Sequence, residues 1–263
     1  MTSYETLTIY VRISVAIHPK LGELKLPKKY HRYLSATVWK GLDIPEEKES
    51  RLPCLMVMSP LIFRERVVGE KNIRMIGNEG KLVLASPLDN IIEAINGWTG
   101  VAEIAGNLVD VGRKDAVDQP VFEERMVWGS VAGSGICVRA EVEGKRKYIS
   151  PAHPECESAL TKSMQGKWRE LCRRNFSKAV RWSESGDPVK WGEENPPMIK
   201  IVSYLNNILS PIKEKAWIVH WPGRVEVVGS VAWQRLVWDC GLGVKTGLGV
   251  GMVTPWKGTR NDS

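Results

Sequence analysis

Five glycines crowd the end of this chain, at Gly241, Gly243, Gly247, Gly249 and Gly251. Glycine loses more backbone freedom on folding than any other residue, so such a run cannot be the interior of a helix. It must be a loop, tightly packed or open to a ligand. The ten residues before it, 231–240, have helical spacing, and 247–254 read as a last strand. Without side chains, a loop of this kind lets its N–H groups approach a bulky anion, and Lys245 and Thr246 add a cation and a hydroxyl. Two nucleotide motifs are excluded. A P-loop needs its lysine after the last glycine and a helix behind it, whereas Lys245 precedes Gly247. A dinucleotide fingerprint needs G-x-G-x-x-G after a strand, with a βαβ unit to follow.

The rest of the chain supplies the architecture. Leu7, Ile9, Val11, Ile13, Val15 and Ile17 alternate at period two and predict a first strand over residues 5–17. Tyr30, Leu34, Thr37 and Val38 recur at helical spacing within residues 28–41, with Pro27 at the helix entrance. Residues 54–68 and 72–76 are rich in β-formers, and 78–80 read as a turn into a strand over 81–85. Leu88, Ile91, Ile92 and Ile95 predict a second helix, ended by Gly97, and 101–111 a further strand. The polar stretch 112–120 reads as a linker. Beyond it the order repeats: extended runs at 121–131 and 135–149, a long basic helix at 154–182, strands at 198–205 and 216–228, the helix at 231–240 and the last strand. The expectation is an α+β chain of two tandem ferredoxin-like (βαββαβ) domains, residues 1–115 and 116–263, within reach of 263 residues.

Charge bears on the partner. Lysine and arginine exceed the acids by seven, which suits a phosphate-rich ligand. In the long helix Lys162, Lys167, Arg169, Arg173, Arg174, Lys178 and Arg181 form either an RNA-tracking surface or a solvated face. Some of the eleven tryptophans could stack on bases, although most aromatics fill cores. Cys54, Cys137, Cys156, Cys172 and Cys240 are scattered without C-x-x-C spacing, so free thiols of a cytoplasmic protein are expected, and no metal or cofactor. The N-terminus lacks a basic leader, and no apolar run is long enough for a membrane.

Three segments, residues 232–253, 25–43 and 150–171, are together similar to the CRISPR repeat-processing endoribonucleases of the RAMP (repeat-associated mysterious protein) superfamily. The first matches their helix and paired G-x-G signature, the second their proline-anchored first helix, the third their proline-led long helix. The resemblance implies two ferredoxin-like folds and CRISPR repeat RNA (pre-crRNA) as partner. It implies cleavage without a metal: a 2′-hydroxyl attacks the adjacent phosphorus, leaving a 2′,3′-cyclic phosphate and a 5′-hydroxyl. Such a reaction needs a base, an acid and cations for the phosphorane.

Many members carry a histidine in or just after the first helix, which here selects His31. On the helix His31 shares a side with Lys28 and Ser35, away from the stripe of Tyr30, Leu34 and Val38. Relatives without histidine use lysines and arginines, for which Lys28, Lys48, Arg51 and Lys245 are the candidates. The RNA-binding set is Gly241, Gly243, Lys245, Thr246, Gly247, Gly249, Gly251, Arg173 and Lys178. His18, His153 and His220 rank below His31. The rival readings are a noncatalytic RNA-binding subunit, associated with other CRISPR effector subunits, and a binding module with no RNA role.

Overall fold

The computed structural model describes residues 12–28, 30–44, 54–213 and 216–257. In the first half, β1 (Arg12–Pro19), β2 (Glu23–Pro27) and α1 (His31–Leu42) precede β3 (Val57–Met58), β4 (Ile62–Val68) and β5 (Asn72–Ala85). Then come α2 (Asp89–Gly97), β6 (Gly100–Ile104) and β7 (Asn107–Ala116). The sheet order is β2-β5-β1-β7-β6, with β3 and β4 also paired to β5. The path β7-β1-β5-β4 is antiparallel throughout and is the fourth-first-third-second order of a ferredoxin-like unit.

The second half contains β8 (Arg125–Ser130), β9 (Val138–Val142), β10 (Lys145–Ile149), α3 (Cys156–Arg174), α4 (Phe176–Ser183) and α5 (Pro188–Glu194). β11 (Met198–Tyr204), β12 (Ile208–Lys213), β13 (Ala216–His220), β14 (Gly223–Val228), α6 (Val231–Cys240) and β15 (Val253–Pro255) complete it. Its four-stranded sheet runs β11-β14-β8-β15. With β8 first, β11 second, β14 third and β15 fourth, the order is the same. The α+β expectation of two ferredoxin-like folds therefore holds, with β9–β10 and β12–β13 as added hairpins.

Several local expectations are corrected. Residues 78–80 are not a turn, because β5 runs through them unbroken. Gly80 is there to admit the Phe63 ring, where a Cβ would collide with it. The single strand over 101–111 is a hairpin, β6 and β7, and β7 uses the first five residues of the expected linker. The long helix breaks at Asn175, whose side chain accepts the Lys178 N–H and starts α4. β12 was not expected at all. The last strand is only Val253–Pro255, because Thr246–Leu248 forms a 3-10 turn. Residues 5–11 of the expected first strand lie outside the described residues.

One continuous core joins the halves. Trp128, Trp168, Trp221 and Trp233 are fully buried, and Trp168, Trp191 and Trp233 pack ring against ring at 4.9–5.6 Å. These tryptophans are core rather than base platforms. α6 is buried from Ala232 to Cys240 apart from Arg235. Among the described residues, no helix is long and apolar enough to cross a membrane.

Candidate RNA-cleavage site

The site is assembled where α1 meets the glycine loop. Leu34, Val38 and Leu42 turn one face of α1 into the core, which leaves His31 and Ser35, four residues apart, on an adjoining face. The Ser35 hydroxyl donates to the Gly247 carbonyl at 2.8 Å. The His31 ring stacks on Tyr30, centroids 4.7 Å apart, and Tyr30 is anchored in the core with its oxygen accepting the Leu61 N–H. Tyr30 is thus the core residue its place in the apolar stripe implies.

The loop itself is held rigidly. Leu242 N–H donates to the Gly251 carbonyl, Val244 N–H to Cys137 and Gly251 N–H to Gly135, each at 2.8 Å. Lys167 donates to the carbonyls of Cys240 and Gly241. The Thr246 hydroxyl donates to Met56 at 2.8 Å and is buried, so it closes the loop onto β3. Gly241, Gly243, Gly247, Gly249 and Gly251 are all buried. At four of them, Gly241, Gly243, Gly249 and Gly251, both the backbone and the space demand glycine. Gly243 has φ +76° and a Cβ there would lie 2.2 Å from the Cys137 oxygen; Gly249 has φ +82° and its Cβ would lie 2.7 Å from His31 Nδ1. The expectation of glycines left bare for a ligand is therefore corrected in part: the space at these four is filled by the protein, and the N–H groups of Gly241, Leu242, Val244, Leu248 and Gly251 bond within the protein.

His31 Nδ1 is buried with no hydrogen-bond partner among the described residues. Burial, and secondly the charge of His220, lower the His31 pKa to about 4. The ring is therefore neutral near pH 7 and able to accept a proton. His220, passed over in the sequence because it sits in a strand-like run, closes the other side. Its Nε2 is 2.8 Å from the Ser210 hydroxyl, its Nδ1 lacks a partner among the described residues, and burial lowers it to about 4. Its ring rests against Gly135, the residue that receives the Gly251 N–H. The glycine loop thus lies between the half-buried His31, whose Nδ1 is buried, and the buried His220.

The other candidates separate. Lys245 is exposed at the head of the 3-10 turn, in the left-handed region at φ +63°. Lys28 is exposed just after β2. Lys48 and Arg51 lie outside the described residues. Arg173 makes two bonds to Glu170 of its own helix. Lys178 is corrected: its ammonium is buried on Asp89 and the Pro87 carbonyl, 2.6 Å from each, so it ties α4 to the first half and presents no charge to a ligand. Lys167 is likewise buried. None of the five cysteines is in a disulfide.

The family described as CRISPR associated protein Cas6, C-terminal, matches residues 117–255, more than half of the chain. The chain belongs to the Cas6 family. Solved structures share the fold along almost the whole length. One described as the characterization of a Cas6-related gene from Pyrococcus furiosus has a TM-score of 0.74 at 19% identity, covering 95% of this chain and 99% of that one. One described as a RAMP protein binding different RNA substrates has a TM-score of 0.74 at 20% identity, covering 94% and 99%. A Cas6 product complex has a TM-score of 0.58 at 14% identity, covering 94% and 100%. No curated protein matches the chain in sequence. The Cas6 assignment agrees with the resemblance carried by the glycine signature and the two helices.

Proposed function

We propose that the chain is an endoribonuclease that cuts CRISPR repeat RNA without a metal, with His31 at the cut. The observation that carries this reading is the placement of His31: a neutral imidazole, fixed by stacking on Tyr30 and pressed against Gly249 of the loop. Family membership and relatives described as an RNA binder and a product complex support RNA as the substrate. In the reaction the 2′-oxygen bonds to the adjacent phosphorus, the bond to the 5′-oxygen breaks, and a 2′,3′-cyclic phosphate forms. His31 takes the 2′-hydroxyl proton, Lys245 faces the developing charge, and the leaving oxygen gains its proton from a lysine ammonium or solvent. Lys28, Lys48, Arg51 and Lys245 make up the alternative site without histidine. Incubation of the purified protein with repeat RNA in EDTA tests the reading. A single cut is expected; binding without any cut would make the chain a noncatalytic RNA-binding subunit instead.

The pH dependence has a definite sign. A base must be unprotonated, so kcat/KM, which reports the free enzyme, should rise with pH through about 4 and be level from there to neutrality. An inflection at the ordinary histidine value of about 6.5 would show that the ring is not buried in the active enzyme.

Gly249→Ala should displace the His31 ring and lower single-turnover cleavage by ~10²-fold, the scale of a misplaced catalytic group. Gly106→Ala is the matched control, since Gly106 also has φ +82° but a Cβ there meets nothing. Equal effects in the two variants would assign the loss to backbone strain alone.

A further inference from the structure

Among the described residues β4 pairs with β5 alone, and its register sets Arg66 opposite Met75. Cross-strand partners stand on one face of a sheet. Met75 is buried in the core cluster that also holds Tyr30, so Arg66 leaves the strand on the Tyr30 side, while Glu65 and Val67 leave on the other. At the rim of that core Arg66 is exposed, and among the described residues its guanidinium has no hydrogen bond or ion pair. Two neighbours fix where it points. Its Nη1 lies 3.8 Å from the place a Cβ would take on Gly133, beside the Pro60 ring. Burial pushes the Tyr30 hydroxyl up to about 12, and the Arg66 charge is among the groups that oppose this, which puts the guanidinium near that oxygen. Both neighbours border the cut. Tyr30 is the ring on which His31 stacks. Gly133 belongs to the turn after β8, where the Gly135 carbonyl and the Ser134 hydroxyl accept the N–H groups of Gly251 and Met252, just past the Gly249 that His31 faces. Arg66 thus reaches from the first half to the seam where this turn, the glycine loop and His31 meet.

We infer that Arg66 is a further catalytic residue of the cut: its guanidinium holds the nonbridging oxygens of the scissile phosphate and stabilises the charge they gain as the phosphorane forms. The inference rests on the reading of the chain as an endonuclease of repeat RNA. A neutral His31 brings no charge of its own to the phosphate, so the growing negative charge has to be met by other groups. The planar fork of arginine matches two phosphate oxygens at once, and Lys245 adds a point charge from the other half of the chain. The bonds and protons balance as before. The 2′-oxygen bonds to phosphorus, the bond to the 5′-oxygen breaks, and Arg66 gives up no proton, because a guanidinium stays charged throughout. The competing reading is a solvated charge that blunts an edge strand against pairing with another sheet.

The test measures single-turnover cleavage of repeat RNA in EDTA, at saturating protein, by the full chain and three variants. Arg66→Ala should lower the rate by ~10²-fold, the scale of losing one preorganised donor to a developing charge. Arg66→Lys, which keeps the charge but not the fork, should recover part of that loss. Arg74→Ala removes the same charge from the same sheet, but at a guanidinium already held by Glu23, and should cut at the wild-type rate. A second readout answers only to contact with the phosphate: sulfur in place of one nonbridging oxygen at the cut, each diastereomer taken separately. Sulfur accepts hydrogen bonds poorly, so the wild-type chain should cut one diastereomer more slowly than the oxygen RNA. Arg66→Ala should cut that diastereomer and the oxygen RNA at the same rate, because the bond that sulfur weakens is already gone. A near-wild-type rate for Arg66→Ala, an equal loss for Arg74→Ala, or the same sulfur penalty with and without Arg66 overturns the inference while leaving the endonuclease reading intact. A wild-type chain that cuts no repeat RNA overturns that reading, and the inference with it.

Discussion

Replacing His31 with alanine is expected to lower single-turnover cleavage of repeat RNA by ~10²-fold or more, the range set by loss of a general acid or base, with RNA affinity little changed. The expectation follows from geometry. The ring is stacked on Tyr30 and faces Gly249, and its buried Nδ1 keeps it neutral. Its removal takes away the proton acceptor without touching Ser35, whose bond to Gly247 still seats the loop. If His31→Ala cleaves at nearly the wild-type rate, the lysine-based site operates, and Lys28→Ala or Lys245→Ala should carry the defect instead. Rates of the three variants from acid to alkaline pH separate these outcomes.

The largest effect on stability is expected at Arg12. Its guanidinium lies 3.5 Å over the Trp238 ring. It donates to the Trp238 carbonyl through Nε and Nη2 and to Val253 through Nη2, at 2.6–2.9 Å. Arg12 belongs to β1 of the first sheet, while Trp238 and Val253 belong to α6 and β15, so one buried cation joins the halves. Arg12→Met leaves those carbonyls short of donors and removes the cation that acts most strongly on Asp239. Losing the three hydrogen bonds of a buried charged donor costs about 3 kcal/mol or more, which at ~2–4 °C per kcal/mol for a chain of this size is a fall in Tm of roughly 10 °C.

The loss should depend on pH. Burial pushes the Asp239 carboxyl up to about 8, and Arg12 opposes that rise. A folded-state pKa above the unfolded one means that the folded chain holds more protons between the carboxylate range and about 8, so stability falls as pH rises through that window. Without Arg12 the Asp239 pKa rises further, so the fall continues past pH 8 and the variant should be hurt more at pH 8 than at pH 5. Thermal melts at the two pH values check this; equal shifts would mean that Asp239 does not depend on Arg12.

The parts of the fold legible in the sequence are those set by local pattern. The period-two run through Ile13, Val15 and Ile17 is β1, and the spacing of Leu34 and Val38 is the buried face of α1. The glycine loop was legible as a loop because no regular element tolerates its composition. What was hidden depends on neighbours distant in sequence. Gly80 looked like a turn residue, yet it is a strand residue flattened to let Phe63 lie across it. Lys178 looked like a surface cation, since nothing in its helix reveals the Pro87 carbonyl and Asp89 waiting 2.6 Å away.

The same holds in the site. His31 could be singled out from its helix face and from the family resemblance, but not its packing against Gly249, more than two hundred residues later. His220 gave no signal beyond being a histidine in an extended run, because Gly135 and Ser210 become its neighbours only when the hairpin folds back on the loop.

The nucleophile of the proposed reaction is the RNA's own 2′-hydroxyl. A repeat RNA with one 2′-deoxy nucleotide on the 5′ side of the cut should be bound by the wild-type chain as tightly as the unmodified RNA and left intact, while the unmodified RNA is cut in EDTA to a 2′,3′-cyclic phosphate and a 5′-hydroxyl. Cleavage of the deoxy-substituted RNA at the same position would contradict it.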